Sequence, residues 1–251
     1  MLLLITGCIN VNKNIPLVKV YDLKSRLNDY INTINWAIET KIFTDIIFCE
    51  NSNYQLEISK IFCKAKNYGK SFEYLTFSGN IQNIVQQGKG YGEGEIIDFA
   101  LNNSRLLKKY KFFCKITGRL KISNIDSLIN QQSNWFMNKK ELKETDTRFY
   151  CIKKDDYNTF LRNSYLNVDD THGFFLEHAF YQELHKGKIR YKMFLERPLF
   201  QGVSGSTGRI YQDSKTSHEW IYDILCRTNL YNNRQFWNIV NDIKNIKKGQ
   251  K

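Results

Sequence analysis

A chain of 251 residues, 42% of them apolar, is long enough for one sizeable α/β core, and its 2 prolines exclude a proline-rich linker. The formal net charge of +12 favours acidic partners: nucleic acid, an anionic membrane surface or phosphorylated substrates. Six cysteines (Cys8, Cys49, Cys63, Cys114, Cys151, Cys226) form no Cys-x-x-Cys pair, and His172, His178, His185 and His218 have no zinc-binding spacing. They read as thiols that act as small hydrophobes in a reducing cytoplasm.

In chain order, Leu2-Leu3-Leu4-Ile5-Thr6-Gly7-Cys8 is a buried strand, far too short for a membrane span or the core of a signal peptide. In open α/β sheets ligands sit beyond the carboxyl ends of strands, so residues 6–11 are a candidate ligand loop. Residues 22–40 read as a helix with the apolar residues Leu23, Leu27, Tyr30, Ile31, Ile34, Trp36, Ala37 and Ile38. Residues 45–52 are a second strand ending in the polar groups Glu50, Asn51 and Ser52. Residues 57–66 form a short helix and residues 72–77 a third strand.

The stretch 88–122 is the most informative. Gly88, Gly90, Gly92 and Gly94 predict a flexible turn whose main chain a ligand can approach closely. Glu93 and Glu95 suit the first turn of a following helix, where negative charge meets the positive end of the dipole. An inner strand follows with Phe112, Phe113, Cys114, Ile116, Leu120 and Ile122, carrying Lys115, Thr117, Gly118 and Arg119 in or just beyond it. Neither common phosphate motif accounts for the glycines. Glu93 stands where the last glycine of G-x-G-x-x-G belongs, and Gly69-Lys70-Ser71 lacks the first glycine of a P-loop, at Lys64. Strand–helix alternation over the first ~120 residues predicts a mostly parallel sheet with helices on both faces.

The second half has a different texture. Trp135 and Phe136 stand on a polar background. Residues 147–152 read as a strand, 155–164 as a short helix, 169–173 as a turn and 174–186 as a helix. Residues 190–194 predict a strand and 201–208, Q-G-V-S-G-S-T-G, a mobile loop. Residues 217–227 and 232–247 read as helices; the last has a lysine-rich end suited to packing on the domain with a solvated tail or, as the competing reading, to an anionic inner leaflet.

In these features, taken in order, the chain resembles bacterial or viral glycosyltransferases of the nucleotide-sugar fold known as GT-A, in particular those that assemble surface polysaccharides. The resemblance rests on L-L-L-I-T-G, Arg26 before T-I-N-W-A-I, I-I-F-C-E-N-S, the glycine segment before F-F-C-K-I-T-G-R, and F-F-L-E-H-A-F-Y downstream. It covers about residues 1–200 and implies a catalytic domain there, with a nucleotide-binding half (1–125) and an acceptor half (126–200), followed by the loop and C-terminal helices of 201–251. It implies transfer of a sugar from a nucleotide-sugar donor to a glycan or glycolipid acceptor. It also implies an inverting outcome at a carboxylate base. The expected location is the cytoplasm, with the C-terminal helix offering peripheral contact with the inner membrane face, and the lack of a helix-turn-helix, zinc or RNA-recognition signature argues against a nucleic-acid partner.

GT-A enzymes usually hold a divalent metal on an Asp-x-Asp after the central strand. Here Thr117-Gly118-Arg119 occupies that place, so the expectation is either ligands from elsewhere, such as Asp146, or metal independence, with Lys115 and Arg119 offsetting the diphosphate. The resemblance places the base at Glu177, among Phe174, Phe175, Leu176 and Phe180, with Asp170 second. Donor contacts fall to Thr6, Gly7, Glu50, Asn51, Lys89, Gly90, Gly92, Lys115, Thr117, Gly118, Arg119, Asp146 and Arg148, and acceptor contacts to Trp135 and His178. Competing readings are a helix-terminal carboxylate for Glu177, a strand-edge ion pair for Asp146 and Arg148, and a core residue for Trp135. At the level of the whole chain, a basic nucleic-acid-binding protein, another nucleotide-dependent transferase or a non-catalytic assembly protein compete with sugar transfer.

Overall fold

The computed structural model describes residues 1–129, 132–139, 142–187, 189–205, 207–213, 219–228, 230, 235–236, 238–240 and 242. The first half alternates as its periodicity predicts: β1 (Leu2–Gly7), α1 (Leu23–Glu39), β2 (Asp45–Glu50), α2 (Ser59–Asn67) and β3 (Ser71–Thr76). Asp22 caps α1 by accepting the Ser25 N–H at 2.7 Å. Next come α3 (Ile81–Gln87), α4 (Lys89–Asn103), α5 (Arg105–Lys108), β4 (Phe112–Thr117) and β5 (Leu120–Ile122). The second half comprises α6 (Ile125–Leu128), β6 (Trp135–Phe136), β7 (Asn138–Lys139), β8 (Glu144–Thr145), β9 (Phe149–Lys153) and α7 (Lys154–Asp156), which runs into a π-helical turn, Tyr157–Leu161. It ends with α8 (Leu176–His185), β10 (Lys192–Met193), β11 (Phe200–Val203), β12 (Ile210–Gln212) and α9 (Glu219–Arg227).

Seven strands form one sheet in the order β10-β6-β9-β4-β1-β2-β3. Only β9 runs against the rest, so the sheet is mostly parallel and the class is α/β. Both faces are covered, as the continuous apolar runs of β1, β2 and β4 require. Leu3, Ile5 and Phe48 pack with Tyr30 and Ile34 of α1 on one face. Leu2, Leu4 and Phe113 pack with Ile97 of α4 and Phe180 of α8 on the other. The chain lays β2 and β3 on one side of β1 and then crosses to lay β4 on the other. The strand order therefore reverses between β1 and β4, and the crevice beyond their carboxyl ends is where open sheets bind ligands.

Several expectations change. The glycines at 88–94 form no turn: Gly88 is the cap, at φ 102°, and Gly90, Gly92 and Gly94 lie inside α4. They are small because the side chains of Asp170, Val168, Asn51 and Tyr165 lie against the helix. A Cβ on Gly94 would fall 2.1 Å from the Tyr165 Cβ, and one on Gly88 2.3 Å from the Asp170 Cβ. The single strand expected over 112–122 is two, β4 and β5, and β5 leaves the main sheet to pair with β11. The loop expected at 201–208 begins as that strand, and its turn is tied by Ser204 N–H to the Arg209 carbonyl at 2.9 Å. Cys114 and Cys151, directly opposed on β4 and β9, form a disulfide, which corrects the free-thiol reading for that pair. The helix expected at 232–247 falls largely outside the described residues; 235–236, 238–240 and 242 are helical. Among the described residues no helix is long and apolar enough to cross a membrane.

Candidate functional site at the β1–β4 crevice

Alternation along β1 and β4 turns Thr6, Lys115 and Thr117 toward the α4 face. There they meet Glu93, one turn into α4. Glu93 Oε1 accepts from Thr6 Oγ1 at 3.1 Å, from Thr117 Oγ1 at 2.9 Å and from the Lys115 ammonium. Lys115, 0% exposed, also donates to Thr117 Oγ1 at 2.9 Å and to the Thr147 carbonyl at 2.7 Å, so its three protons are all engaged. Burial alone would raise the Glu93 pKa. The Lys115 charge and the hydrogen bonds from Lys115, Thr117 and Thr6 outweigh it and hold the carboxyl below its usual range.

Thr147 carries the network on to α8. Its hydroxyl donates to Glu177 Oε1 at 2.8 Å while its carbonyl receives Lys115. Glu177 sits in the first turn of α8, where burial raises its pKa and the nearby Glu93 charge adds to the effect. Two carboxylates thus share one hydrogen-bonded chain, one held ionised and the other pushed toward protonation. Sites that divide acid and base roles are built this way.

The opposite face of the crevice is cationic. The β4–β5 turn needs Gly118, because a Cβ there would stand 2.5 Å from the Thr6 carbonyl and 2.4 Å from the Tyr30 ring. Its N–H donates to that carbonyl at 2.8 Å, fastening the turn to β1. Arg119 follows at φ 70°, a left-handed conformation that costs a non-glycine residue on the order of 1 kcal/mol and clusters at functional sites. Its guanidinium is 4% exposed; Nη1 lies 3.8 Å from Asp29 Oδ2 and has no hydrogen-bond partner among the described residues. Burial lowers the Arg119 pKa. Arg26 stands beside it, bonded to the Cys8 and Val20 carbonyls and to the Tyr30 hydroxyl.

The structure brings together Thr6, Gly7, Lys89, Lys115, Thr117, Gly118, Arg119, Asp146, Arg148 and Glu177 around the carboxyl ends of β1 and β4, and it gives several of them partners. Arg148 forks onto Asp146, Nε to Oδ1 at 2.9 Å and Nη2 to Oδ2 at 2.6 Å, and lies 4.0 Å over the Phe200 ring. This is the strand-edge ion pair, and it clasps the β11–β12 hairpin onto β9. Glu50 is the hub of its own loop, accepting the N–H groups of Ser52 (2.9 Å) and Tyr54 (2.8 Å) and the hydroxyls of Ser52 and Thr76. Asn51 packs its amide against Gly92. Gly90 donates its N–H to Asp170 Oδ2 at 3.1 Å, and Asp170, 3% exposed, caps α4. Asp170 is thus engaged at the start of α4 rather than in the chain that joins Glu93 to Glu177. Trp135, 2% exposed and stacked on Phe194, is core and cannot reach a sugar. His178 Nδ1 accepts the Phe175 N–H at 3.1 Å, closing the start of α8, and its ring borders a groove on the outer side of that helix.

Two residues that hold the network together carried no role in the sequence reading. For Glu93 the sequence predicts only a favourable place at a helix dipole. Had residues 88–95 been read as helix, the i, i+4, i+7 spacing of Glu93, Ile97 and Ala100 would have turned it inward. Thr147 has no local signal, since its two partners lie 30 and 32 residues away.

No protein-family model matches the sequence, and a search of curated proteins finds no match. Among solved structures, a nucleoside-diphosphate-sugar pyrophosphorylase from Vibrio cholerae is similar at 13% identity and a TM-score of 0.40, covering 77% of this chain and 91% of its own. Core-mannan synthase A from Aspergillus fumigatus, in a Mn/GDP form, is similar at 11% identity and a TM-score of 0.42, covering 85% and 80%. HddC from Yersinia pseudotuberculosis is similar at 13% and 0.39, covering 80% and 92%. Likeness at this level assigns no activity.

The residues at the Asp-x-Asp place do not make a metal-ligand set. Thr117-Gly118-Arg119 offers one hydroxyl and a guanidinium; of the nearby carboxylates, Glu93 and Asp146 are each bonded to a cation, and Asp29 lies 3.8 Å from the Arg119 guanidinium. Among the described residues no group of three His, Cys, Asp or Glu side chains is placed to hold a metal ion.

Proposed function

We propose that this chain is a glycosyltransferase of GT-A type, moving a sugar from a nucleotide-sugar donor to a hydroxyl of a surface-glycan acceptor. The observation that supports it most is the pair of linked carboxylates at the reversal of strand order, Glu93 held ionised and Glu177 pushed toward protonation, facing a buried cation across the crevice. In this reading the donor lies across the β1–β4 crevice along Thr6, Gly7 and Thr117, with its diphosphate toward Arg119. Charge grows on the leaving diphosphate as the glycosidic bond breaks, and the Arg119 guanidinium, whose Nη1 has no hydrogen-bond partner among the described residues, offsets it. The acceptor oxygen attacks the anomeric carbon, its proton passes to Glu177, and the nucleoside diphosphate leaves, which inverts the configuration. A carboxylate whose pKa is raised is a stronger base once ionised. Lys115 acts at one remove, orienting Glu93 and, through the Thr147 carbonyl, the hydroxyl bonded to Glu177. Donor chemistry therefore centres on Arg119, with Lys115 in a positioning role. The acceptor reaches the site at an anionic inner membrane face, toward which the +12 charge and the outward Trp220, Ile221 and Ile224 of α9 direct the protein.

Thermal stability measured with UDP, GDP, CMP and dTDP, each with Mn²⁺ or EDTA, tests the reading. A ligand at a hundredfold excess over its dissociation constant stabilises the folded state by about 2.7 kcal/mol. One nucleotide is expected to raise the midpoint, Arg119→Ala to abolish the rise, and Glu177→Gln to keep it while cutting sugar transfer by about 10²- to 10⁴-fold. No rise with any of the four at millimolar concentration would overturn the proposal.

A further inference from the structure

The outer side of α8 carries a groove of about 470 Å³, a size typical of small-molecule sites. Aromatic rings and two lysines line it. His178, Tyr181 and His185 follow helical spacing and form one face, joined by Phe174 from the preceding segment. Tyr181 and His185 stack at 3.7 Å between centroids, and the His178 ring is stacked on both Phe174 and Phe175. Aromatic rings therefore crowd one side of α8, and the C–H faces of a sugar ring pack on such rings. Lys143 and Lys186 border the same groove. The acidic groups nearby are Glu183, bonded to Lys186 at 2.6 Å, and Glu144, 3.7 Å from His178 Nε2. Hydrogen bonding orients both imidazoles. His178 Nδ1 accepts a backbone N–H, which leaves its proton on Nε2, and His185 Nδ1 donates to the Tyr181 carbonyl at 2.9 Å.

Glu177 precedes His178 on the helix, so the groove begins about 100° around α8 from the carboxylate bonded to Thr147. We propose that this groove seats an acidic sugar of the acceptor glycan, its carboxylate or phosphate held by Lys143 and Lys186 and its ring on Tyr181 and His185. The inference rests on the transferase reading and names the acceptor's chemical class. Lys143, and Lys186 with its ammonium shared with Glu183, beside an aromatic surface suit one anionic sugar, whereas a nucleic acid is tracked by a longer basic stripe.

Isothermal titration of the full chain at 150 mM salt, with a galacturonic acid trisaccharide and with the neutral galactose trisaccharide, tests this. The acidic sugar is expected to bind at least about tenfold more tightly than the neutral one. Lys143→Ala combined with Lys186→Ala removes that preference, and Tyr181→Ala weakens both sugars. Equal affinity for the two sugars, no binding of either, or undiminished acid preference in the double lysine variant each overturns the proposal. Nucleotide titration of the same samples separates the two readings. Nucleotide binding without the acid preference refutes the groove alone, whereas acid preference without nucleotide binding refutes the transferase and leaves an acidic-sugar site standing.

Discussion

The Lys115–Glu93 pair gives the sharpest test of how the crevice is built. Glu93→Gln keeps an acceptor oxygen for Thr6, Thr117 and Lys115 but removes the charge, leaving the buried Lys115 ammonium without its counter-ion. Removing one partner of a buried ion pair costs about 3–5 kcal/mol, because the remaining charge stays desolvated. The Glu93 side chain is 20% exposed, so the lower end applies, about 3 kcal/mol. At roughly 2–4 °C per kcal/mol for a domain of this size, the midpoint falls by about 6–12 °C. Lys115→Met alone is costly for the converse reason. The double variant removes both charges and is expected to recover most of the loss, since well-packed neutral replacements of buried pairs are often neutral or stabilising. Urea denaturation of wild type, both single variants and the double variant measures the coupling. If the double variant loses the sum of the two single losses, or Glu93→Gln alone costs under about 1 kcal/mol, the pair is not the keystone described. The pH dependence has a definite sign. The Glu93 pKa is lowered in the fold, so its contribution is present above the unfolded carboxylate pKa and is lost as pH falls through the folded value.

Three further outcomes follow from other contacts. Gly94→Ala improves helix propensity by about 1 kcal/mol yet is expected to destabilise, because its Cβ would stand 2.1 Å from the Tyr165 Cβ; a net loss of about 1–3 kcal/mol in urea melts is the predicted overpacking cost, and a gain would refute the packing of residue 165 on α4. Titration of unfolded, unreduced protein with a thiol reagent should find four thiols, from Cys8, Cys49, Cys63 and Cys226, and reduction should lower stability by about 2–4 kcal/mol in wild type but not in a Cys114→Ala/Cys151→Ala variant. Glu177→Gln should stabilise the fold at pH 8, with the advantage shrinking toward pH 5. A raised folded pKa gives stability that is complete below the unfolded pKa and is lost as pH rises, and the amide avoids that loss while keeping the Thr147 bond; parallel stability curves across pH would refute the burial of this carboxylate.

Much of the first half was legible in the chain itself. β1, β2, β3 and α1 are local objects: an apolar run of strand length, or apolar residues at helical spacing behind an Asp cap, needs no distant partner to declare itself. The polar ends of β1, β2 and β4 were legible for the same reason, and parallel connection then gathers them at one edge. The glycines of α4 show where this stops. Read locally they signal a turn, because glycine is a poor helix former. Only the approach of residues 165 and 170, about 70–80 positions along the chain, makes the absence of a side chain a requirement of packing within a helix. The same holds for function. That Glu177 would be buried could be read from the phenylalanines around it. That Lys115 would be matched by Glu93, Arg148 by Asp146 and Cys114 by Cys151 depended on which strands and helices came to lie together. Charge and covalent partners are chosen by distance in space, which the order of residues does not contain.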